Sequence, residues 1–323
     1  MHIVTGGAGF IGSAFVWKLN GMGITDIVVV DELGTSESWK NLVGLRYADY
    51  LHKDAFLDLV LHDELPFDVD SVTHMGACSA TTELDADYLM ENNYRYSVTL
   101  AAWCLEHDVR FINASSAATY GDGSRGFSDD EARLGELRPL NMYGYSKQLF
   151  DLWARREGVL GSLASLKFFN VFGPNEYHKG DMMSVVCKAH TQIGQTGRLK
   201  LFKSYHPDYP DGGQMRDFVY VKDCVDVMWW LLQHPEVGGV FNVGTGQART
   251  WNDLARSVFA AMNLPENIDY IDMPEQLRGK YQYFTQAEMA KLAATGCPVR
   301  FTSLEDAVKD YVQGYLAREE RYL

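Results

Sequence analysis

Short β-branched runs alternate with stretches of helical periodicity through the first half of the chain. Met1-His2-Ile3-Val4 begins a strand, and Ile3-Val4-Thr5 leads into a glycine turn. From Ser13 to Asn20 the apolar residues Phe15, Val16 and Leu19 fall on helical spacing. Asp26-Ile27-Val28-Val29-Val30-Asp31 is a continuous apolar run closed by acids, the mark of a strand buried on both faces. Val69 to Ala77 and Arg110 to Ser116 repeat that pattern, separated by a helical segment from Asp87 to His107. A helix over roughly Asn141 to Glu157 and a strand over Leu163 to Val171 follow. Alternation at this spacing predicts an α/β fold, a doubly wound parallel sheet with right-handed crossovers and helices on both faces.

The second half is less regular and predicts a smaller mixed α/β unit packed against that sheet. Leu199 to Ser204, Phe218 to Val221 and Val240 to Val243 read as strands, with a helix around Trp229-Trp230-Leu231-Leu232 whose tryptophans belong to the core. Tyr205 to Gly213 is polar and rich in Pro and Gly, hence a surface loop. Helices are expected near Asn252–Met262, Thr285–Ala294 and Ser303–Glu320, with a strand near Ile268–Ile271.

Composition narrows the class. Hydrophobic residues make up 46% and charged residues 22% of 323, the balance of a folded chain. The formal charge of −14 argues against a nucleic-acid partner, which needs a basic stripe, but leaves room for a small anion held by a local cluster of cations. No apolar run is long enough to span a bilayer and the N-terminus lacks the series of a signal peptide, so no membrane partner and a cytoplasmic location are expected. Cys78, Cys104, Cys187, Cys224 and Cys297 are odd in number and scattered, as expected of buried free thiols. The nine histidines are dispersed without metal-ligand spacing, so no metal is expected.

Two constellations carry chemistry. Gly6-Gly7-Ala8-Gly9-Phe10-Ile11-Gly12, between the first strand and first helix, follows GxxGxxG. Gly6 allows the tight turn, Gly9 the approach of a pyrophosphate, and Gly12 close helix–strand packing, so a nucleotide phosphate is expected on the helix N-terminus. Asp31 ends the second strand, where a carboxylate accepts from ribose hydroxyls and repels a 2′-phosphate; by itself this favours NAD. Lys40 and Lys53 stand where they could offset that repulsion. In Tyr143-Gly144-Tyr145-Ser146-Lys147, Tyr143 and Lys147 are four apart on a helix and share a face. An ammonium beside the phenol favours tyrosinate and suits Tyr143 to proton exchange with a substrate hydroxyl, while Ser116 can hydrogen-bond to the same oxygen.

Over nearly its whole length the chain resembles the extended short-chain dehydrogenase/reductase superfamily, and within it the ADP-L-glycero-D-manno-heptose 6-epimerase family. The closer likeness rests on Met75 to Glu83, Asn92-Asn93-Tyr94, Ser115 to Gly121, Asn141 to Lys147, Phe168 to Pro174, His178-Lys179-Gly180, Arg216 to Val221 and Gly279 to Gln286. It implies a Rossmann-type cofactor domain over 1–169 plus about 218–244, and a substrate domain over about 170–217 plus 245–323. It implies NADP as a tightly held cofactor, against the reading of Asp31, an ADP-sugar as substrate, and a homo-oligomer, a pentamer. The reaction implied is epimerisation at C6″ of an ADP-heptose that supplies a lipopolysaccharide inner core. Residue by residue, Tyr143 and Lys179 match the two acid/base positions, Lys147 the partner of Tyr143 and a ribose ligand, and Ser116 a sugar contact. Cofactor positions are Gly6, Gly9, Phe10, Ile11, Gly12, Asp31, Glu32, Lys40, Lys53, Met75, Gly76, Ala77, Cys78, Ser79, Asn92, Lys147, Val171 and Lys179. Substrate positions are Ser116, Asn170, Asp181, Lys188, Phe202, Lys203, Ser204, Tyr205, Arg216 and Tyr281. Met75, Asp181 and Lys188 depart from the family pattern, and the loop from Tyr205 to Gln214 is longer than in its shortest members.

The chemistry follows from an unactivated carbon, whose C–H proton is not acidic. A nicotinamide removes that hydrogen as hydride and returns it to the other face, which calls for an acid/base on each side. Lys188, Lys203, Arg216, Arg278 and Lys280 are candidate phosphate cations, Arg216 the best because it binds bidentately. His178 reads as structural. Ala117 and Ala118 stand where a dehydratase needs further acid/base groups. A UDP-sugar 4-epimerase and a net NADPH-dependent reductase remain as alternatives.

Overall fold

In the computed structural model, which describes residues 1–278 and 281–323, seven parallel strands form the main sheet. The first half runs β1 (His2–Thr5), α1 (Phe10–Gly21), β2 (Ile27–Asp31), β3 (Asp49–His52), α2 (Lys53–Leu61) and β4 (Ser71–His74). It continues with α3 (Ala86–Leu89), a π turn over Met90–Arg95, α4 (Tyr96–Glu106), β5 (Arg110–Ser116), α5 (Met142–Arg156) and β6 (Leu163–Phe168). The rest comprises β7 (Asn170–Phe172), α6 (Val185–Thr196), β8 (Leu199–Phe202), β9 (Met215–Tyr220), α7 (Val221–Gln233) and β10 (Gly239–Val243). After these come β11 (Ala248–Thr250), α8 (Trp251–Ala261), β12 (Ile268–Ile271), α9 (Glu275–Arg278), α10 (Ala290–Ala294) and α11 (Leu304–Tyr311).

The order in the main sheet is β10-β6-β5-β4-β1-β2-β3. Side-chain alternation divides two cores between its faces: Val4, Val29 and Leu166 pack on one side, Ile3, Val28 and Val30 on the other. The order in which the chain adds strands reverses between β1 and β4, which run parallel, so a crevice opens beyond their C-terminal ends, where α/β sheets bind ligands. Two smaller sheets, β11-β9-β7 and β12-β8, lie outside it.

Four element boundaries are corrected. The strand expected over Leu163–Val171 breaks at Phe169, whose N–H still reaches Val243 but whose ring packs with Tyr120 and Phe127. β6 stays in the main sheet while β7 pairs with β9. The helix expected from Thr285 begins only at Ala290, because the preceding residues bond to β9: Thr285 donates to the Met215 carbonyl and Ala287 to the Asp217 carboxylate. The helix expected from Ser303 to Glu320 is α-helical only to Tyr311 and closes with a π turn over Val312–Leu316. The helix expected from Asp87 to His107 contains the π turn, where Ser97 Oγ donates to the Asn93 carbonyl at 2.5 Å and draws it from the regular ladder. The sequence pattern does not announce β3, α2, α6 or β11. Cys78 and Cys297 are half-buried, unlike the other three thiols, and Trp229 and Trp230 pack half-buried against the core. Gly279 and Lys280 lie outside the described residues.

Candidate active site

Backbone sterics build the floor of the crevice. Gly6 has φ +62°, and a Cβ there would lie 2.6 Å from the Gly76 nitrogen; a Cβ on Gly12 would lie 2.0 Å from the Gly6 carbonyl oxygen. Glycine at position 6 therefore lets the β1–α1 turn close against the chain leaving β4, and glycine at position 12 lets α1 close on the turn itself. Gly9 caps α1 without a side chain, which leaves the first-turn amides for an anion. Asp31 is held at the end of β2: Ala8 N–H donates to one carboxylate oxygen at 2.8 Å and Glu32 N–H to the other at 2.7 Å. Burial pushes its pKa up, against those same amides.

A cavity of about 740 Å³ opens above this floor. The structure brings to its lining Gly6, Gly9, Phe10, Ile11, Gly12, Asp31 and Glu32, then Met75 to Ser79, and Ser116, Tyr143, Lys147, Asn170, Val171 and Lys179. Beside it lies a smaller cavity of about 210 Å³ that shares Asp31, Glu32 and Gly76 to Cys78 and adds Lys53 and Asn92. Lys53 bridges this space, 2.7 Å from the Glu32 carboxylate and donating to Asn92 Oδ1 at 3.0 Å.

Tyr143 and Lys147 occupy the first turns of α5, which Asn141 caps by accepting from Gly144 N–H at 2.8 Å. Ser116 ends β5 and accepts from Ala118 N–H at 3.1 Å, so its own proton stays available. Loss of solvent raises the Tyr143 phenol pKa, and Ser116 pulls it back down. Lys147 is 2% exposed, and its Nζ has no hydrogen-bond partner among the described residues. Burial draws its pKa down to about 8, against the attraction of Asp151. An orphaned cation beside a glycine cradle fits a hydroxyl-bearing dinucleotide, whose ribose would supply the missing acceptor.

Lys179 reaches the same cavity from a 3₁₀ turn over Tyr177–Met182, where Gly180 has φ +53°. Its ammonium stands 5.3 Å from the centre of the Phe10 ring, and burial lowers its pKa against the pull of buried Glu176. Glu176 in turn accepts from the Ser184 hydroxyl at 2.7 Å and from the Ser184 amide, which ties the turn to α6. His178, read as structural, borders the cavity beside Asn41 Nδ2 at 3.3 Å.

Other expected residues lie apart from this lining. Arg216 is buried between Trp251 and Tyr281, 5.8 and 5.2 Å from their ring centres, and only Trp251 of the three borders the cavity. Trp251 Nε1 donates to the Tyr281 hydroxyl at 2.9 Å. Lys188 donates to the Asp181 carbonyl at 2.5 Å, and both residues are exposed. Lys203 pairs with Asp272 at 3.1 Å, the Tyr205 hydroxyl donates to the same carboxylate, and Arg278 stacks 4.0 Å from the Tyr205 ring. Phe202 and Ser204 flank Lys203, with Ser204 N–H on Asp211 at 2.7 Å. Lys40 pairs with Glu37 at 2.6 Å. The reading of the sequence missed Trp251, Phe168, Met182 and Ser38 as lining residues. Ser38 stood close to Asp31 in the chain and was findable, whereas Trp251 enters only because β11 and β9 pair. Among the described residues no acid, His and Cys cluster could hold a metal ion, and no helix is long and apolar enough to cross a membrane.

Residues 2–244 match the family described as "NAD dependent epimerase/dehydratase family". An ADP-L-glycero-D-manno-heptose-6-epimerase of Nitratidesulfovibrio vulgaris (strain DP4) is 72% identical over the whole of both chains. One of Fusobacterium nucleatum is 49% identical, also over the whole of both. The crystal structure of the Helicobacter pylori ADP-L-glycero-D-manno-heptose-6-epimerase superposes with a TM-score of 0.82 at 27% identity, covering 97% of this chain and 95% of that one.

Proposed function

The chain belongs to the NAD dependent epimerase/dehydratase family, and from that premise we propose that it epimerises ADP-D-glycero-D-manno-heptose at C6″ to the L-glycero form. The observation that carries this reading is the convergence of Tyr143, Lys147 and Ser116 with Lys179 on one cavity. The full-length likeness to proteins named for that reaction supports the choice of substrate. The product then supplies a lipopolysaccharide inner core, and the division into cofactor and substrate domains and a homo-oligomeric assembly belong to the same reading.

A bound nicotinamide dinucleotide supplies a reversible hydride acceptor. The glycine cradle and the α1 N-terminus would hold its pyrophosphate, Asp31 its adenosine ribose, and Lys147 its second ribose. Ser116 donates toward the Tyr143 oxygen and Lys147 lends it positive potential, so Tyr143 takes the proton of the C6″ hydroxyl as the carbonyl forms. Lys179, on the other side of the sugar, exchanges the proton for the opposite stereoisomer. Arg216, clamped by Trp251 and Tyr281, is the cation for the diphosphate. The resemblance implies NADP, the family description names NAD, and the choice turns on the residues around the adenosine ribose.

The test is turnover of ADP-, GDP- and UDP-sugars by the purified protein, with the epimers separated by chromatography. Interconversion of the two ADP-heptoses without net cofactor change is expected. Inversion of a UDP-sugar at C4 would establish the 4-epimerase instead, and stoichiometric NADPH loss the reductase.

A further inference from the structure

The lysines that could neutralise a 2′-phosphate are both committed to carboxylates. Lys53, the one that lines the cavity beside Asp31, sits 2.7 Å from the Glu32 carboxylate. Lys40 sits 2.6 Å from Glu37. Asp31 and Glu32, adjacent at the end of β2, both border the two cavities. Around the adenosine ribose, then, two carboxylates face one ammonium, and the local balance is negative before any ligand arrives.

We propose that Glu32 makes this site selective for the unphosphorylated dinucleotide, NAD over NADP. The inference rests on the dinucleotide reading above. The physical reason is charge. A 2′-phosphate brings about −1.5 to −2 at neutral pH. To meet it Lys53 would have to leave Glu32, which would then stand uncompensated beside a near-dianion and Asp31. A free 2′-hydroxyl needs none of this. Each Asp31 oxygen already accepts one backbone amide, and a carboxylate oxygen has a second lone pair for a ribose hydroxyl. Glu32 meanwhile keeps Lys53 oriented toward Asn92.

The experiment titrates cofactor-stripped protein with NAD⁺ and NADP⁺ by calorimetry, and with 5′-AMP and 2′,5′-ADP as fragments that isolate the ribose. The parent is expected to favour NAD⁺ by roughly tenfold or more, a preference that shrinks as salt screens the repulsion. Glu32→Gln keeps the shape of the exposed side chain and frees Lys53, so it should tighten NADP⁺ and 2′,5′-ADP by roughly tenfold while moving NAD⁺ and 5′-AMP little. Nucleotide released from the purified parent on denaturation should be NAD by mass. Tighter binding of NADP⁺ by the parent, or an unchanged NAD⁺/NADP⁺ ratio in Glu32→Gln, overturns the proposal and leaves the dinucleotide reading standing. Failure to bind either dinucleotide overturns both.

Discussion

Lys147 shows at a single residue how function and stability oppose each other. Its ammonium is buried without a hydrogen-bond partner among the described residues, and burial draws its pKa from 10.5 to about 8. Between those values the unfolded chain binds the proton and the folded one does not, so stability rises with pH there and the cost is fully present below pH 8. Lys147→Met removes the charge, keeps the stem and breaks no hydrogen bond. In cofactor-free protein it should add up to ~3 kcal/mol at pH 7 and lose that advantage toward pH 10.5, by urea titration, while abolishing turnover. An unchanged midpoint at pH 7 would mean that water satisfies the ammonium. Tyr143→Phe should cut turnover by about 10²–10⁴-fold with dinucleotide affinity nearly intact. Lys179→Met should lower epimerisation by about 10²-fold or more while sparing a half-reaction such as 6-aldehyde disproportionation. Normal epimerisation by Lys179→Met would leave Tyr143 to serve both faces.

At the scale of elements, buried polar relays set the helices on the sheet. Gly76 N–H donates to Thr5 Oγ1 and Thr5 donates to His74 Nδ1, so His74 Nε2–H is free to donate to Ser97, which donates to the Asn93 carbonyl. This one-way chain joins β1, β4 and the π turn, and it needs His74 neutral. Burial pushes the imidazole down to about 3. Below pH 6.5 the unfolded chain takes up the proton first, so this contribution, at most roughly 5 kcal/mol, is lost as pH falls toward 3. His74→Gln should flatten the acid limb of stability against pH relative to the parent; parallel limbs would clear His74 of that role. One turn beyond Lys147, Asp151 anchors α5. It accepts from Lys167 at 2.7 Å, Ser165 at 2.6 Å and Ser115 at 2.8 Å, with the pair's side chains fully buried. Asp151→Ala leaves Lys167 uncompensated and should cost about 3–5 kcal/mol, much of it restored by adding Lys167→Met. A double variant no better than the single would place the cost in the serines instead.

For the whole molecule, cofactor and fold are linked. A dinucleotide that binds only the folded chain at about 100 times its Kd adds ~2.7 kcal/mol, and the midpoint of thermal unfolding should rise with it. A redox-neutral cycle should leave the absorbance at 340 nm flat through many turnovers of sugar. A midpoint indifferent to NAD⁺ would put the ligand of the crevice in question.

The alternation of apolar runs determined the doubly wound sheet, because strands buried on both faces must be apolar throughout and helices must repeat at their own period. GxxGxxG, Asp31, Ser116 and the Tyr143–Lys147 spacing were legible for the same reason: each acts within one turn or at one strand end. Tertiary structure alone decided what depends on distant pairing. It broke the strand at Phe169 and held residues 285–287 to β9, where the Thr285 amide meets the Met215 carbonyl and the Ala287 amide the Asp217 carboxylate, partners that satisfy buried N–H groups without a local helix. It brought Trp251 to the cavity and Arg216 between two rings. It also joined Lys53 to Glu32 across 21 positions. The same lysine reads in sequence as a ligand for phosphate and in the fold as the partner of a carboxylate, because charge complementarity is a property of neighbours in space.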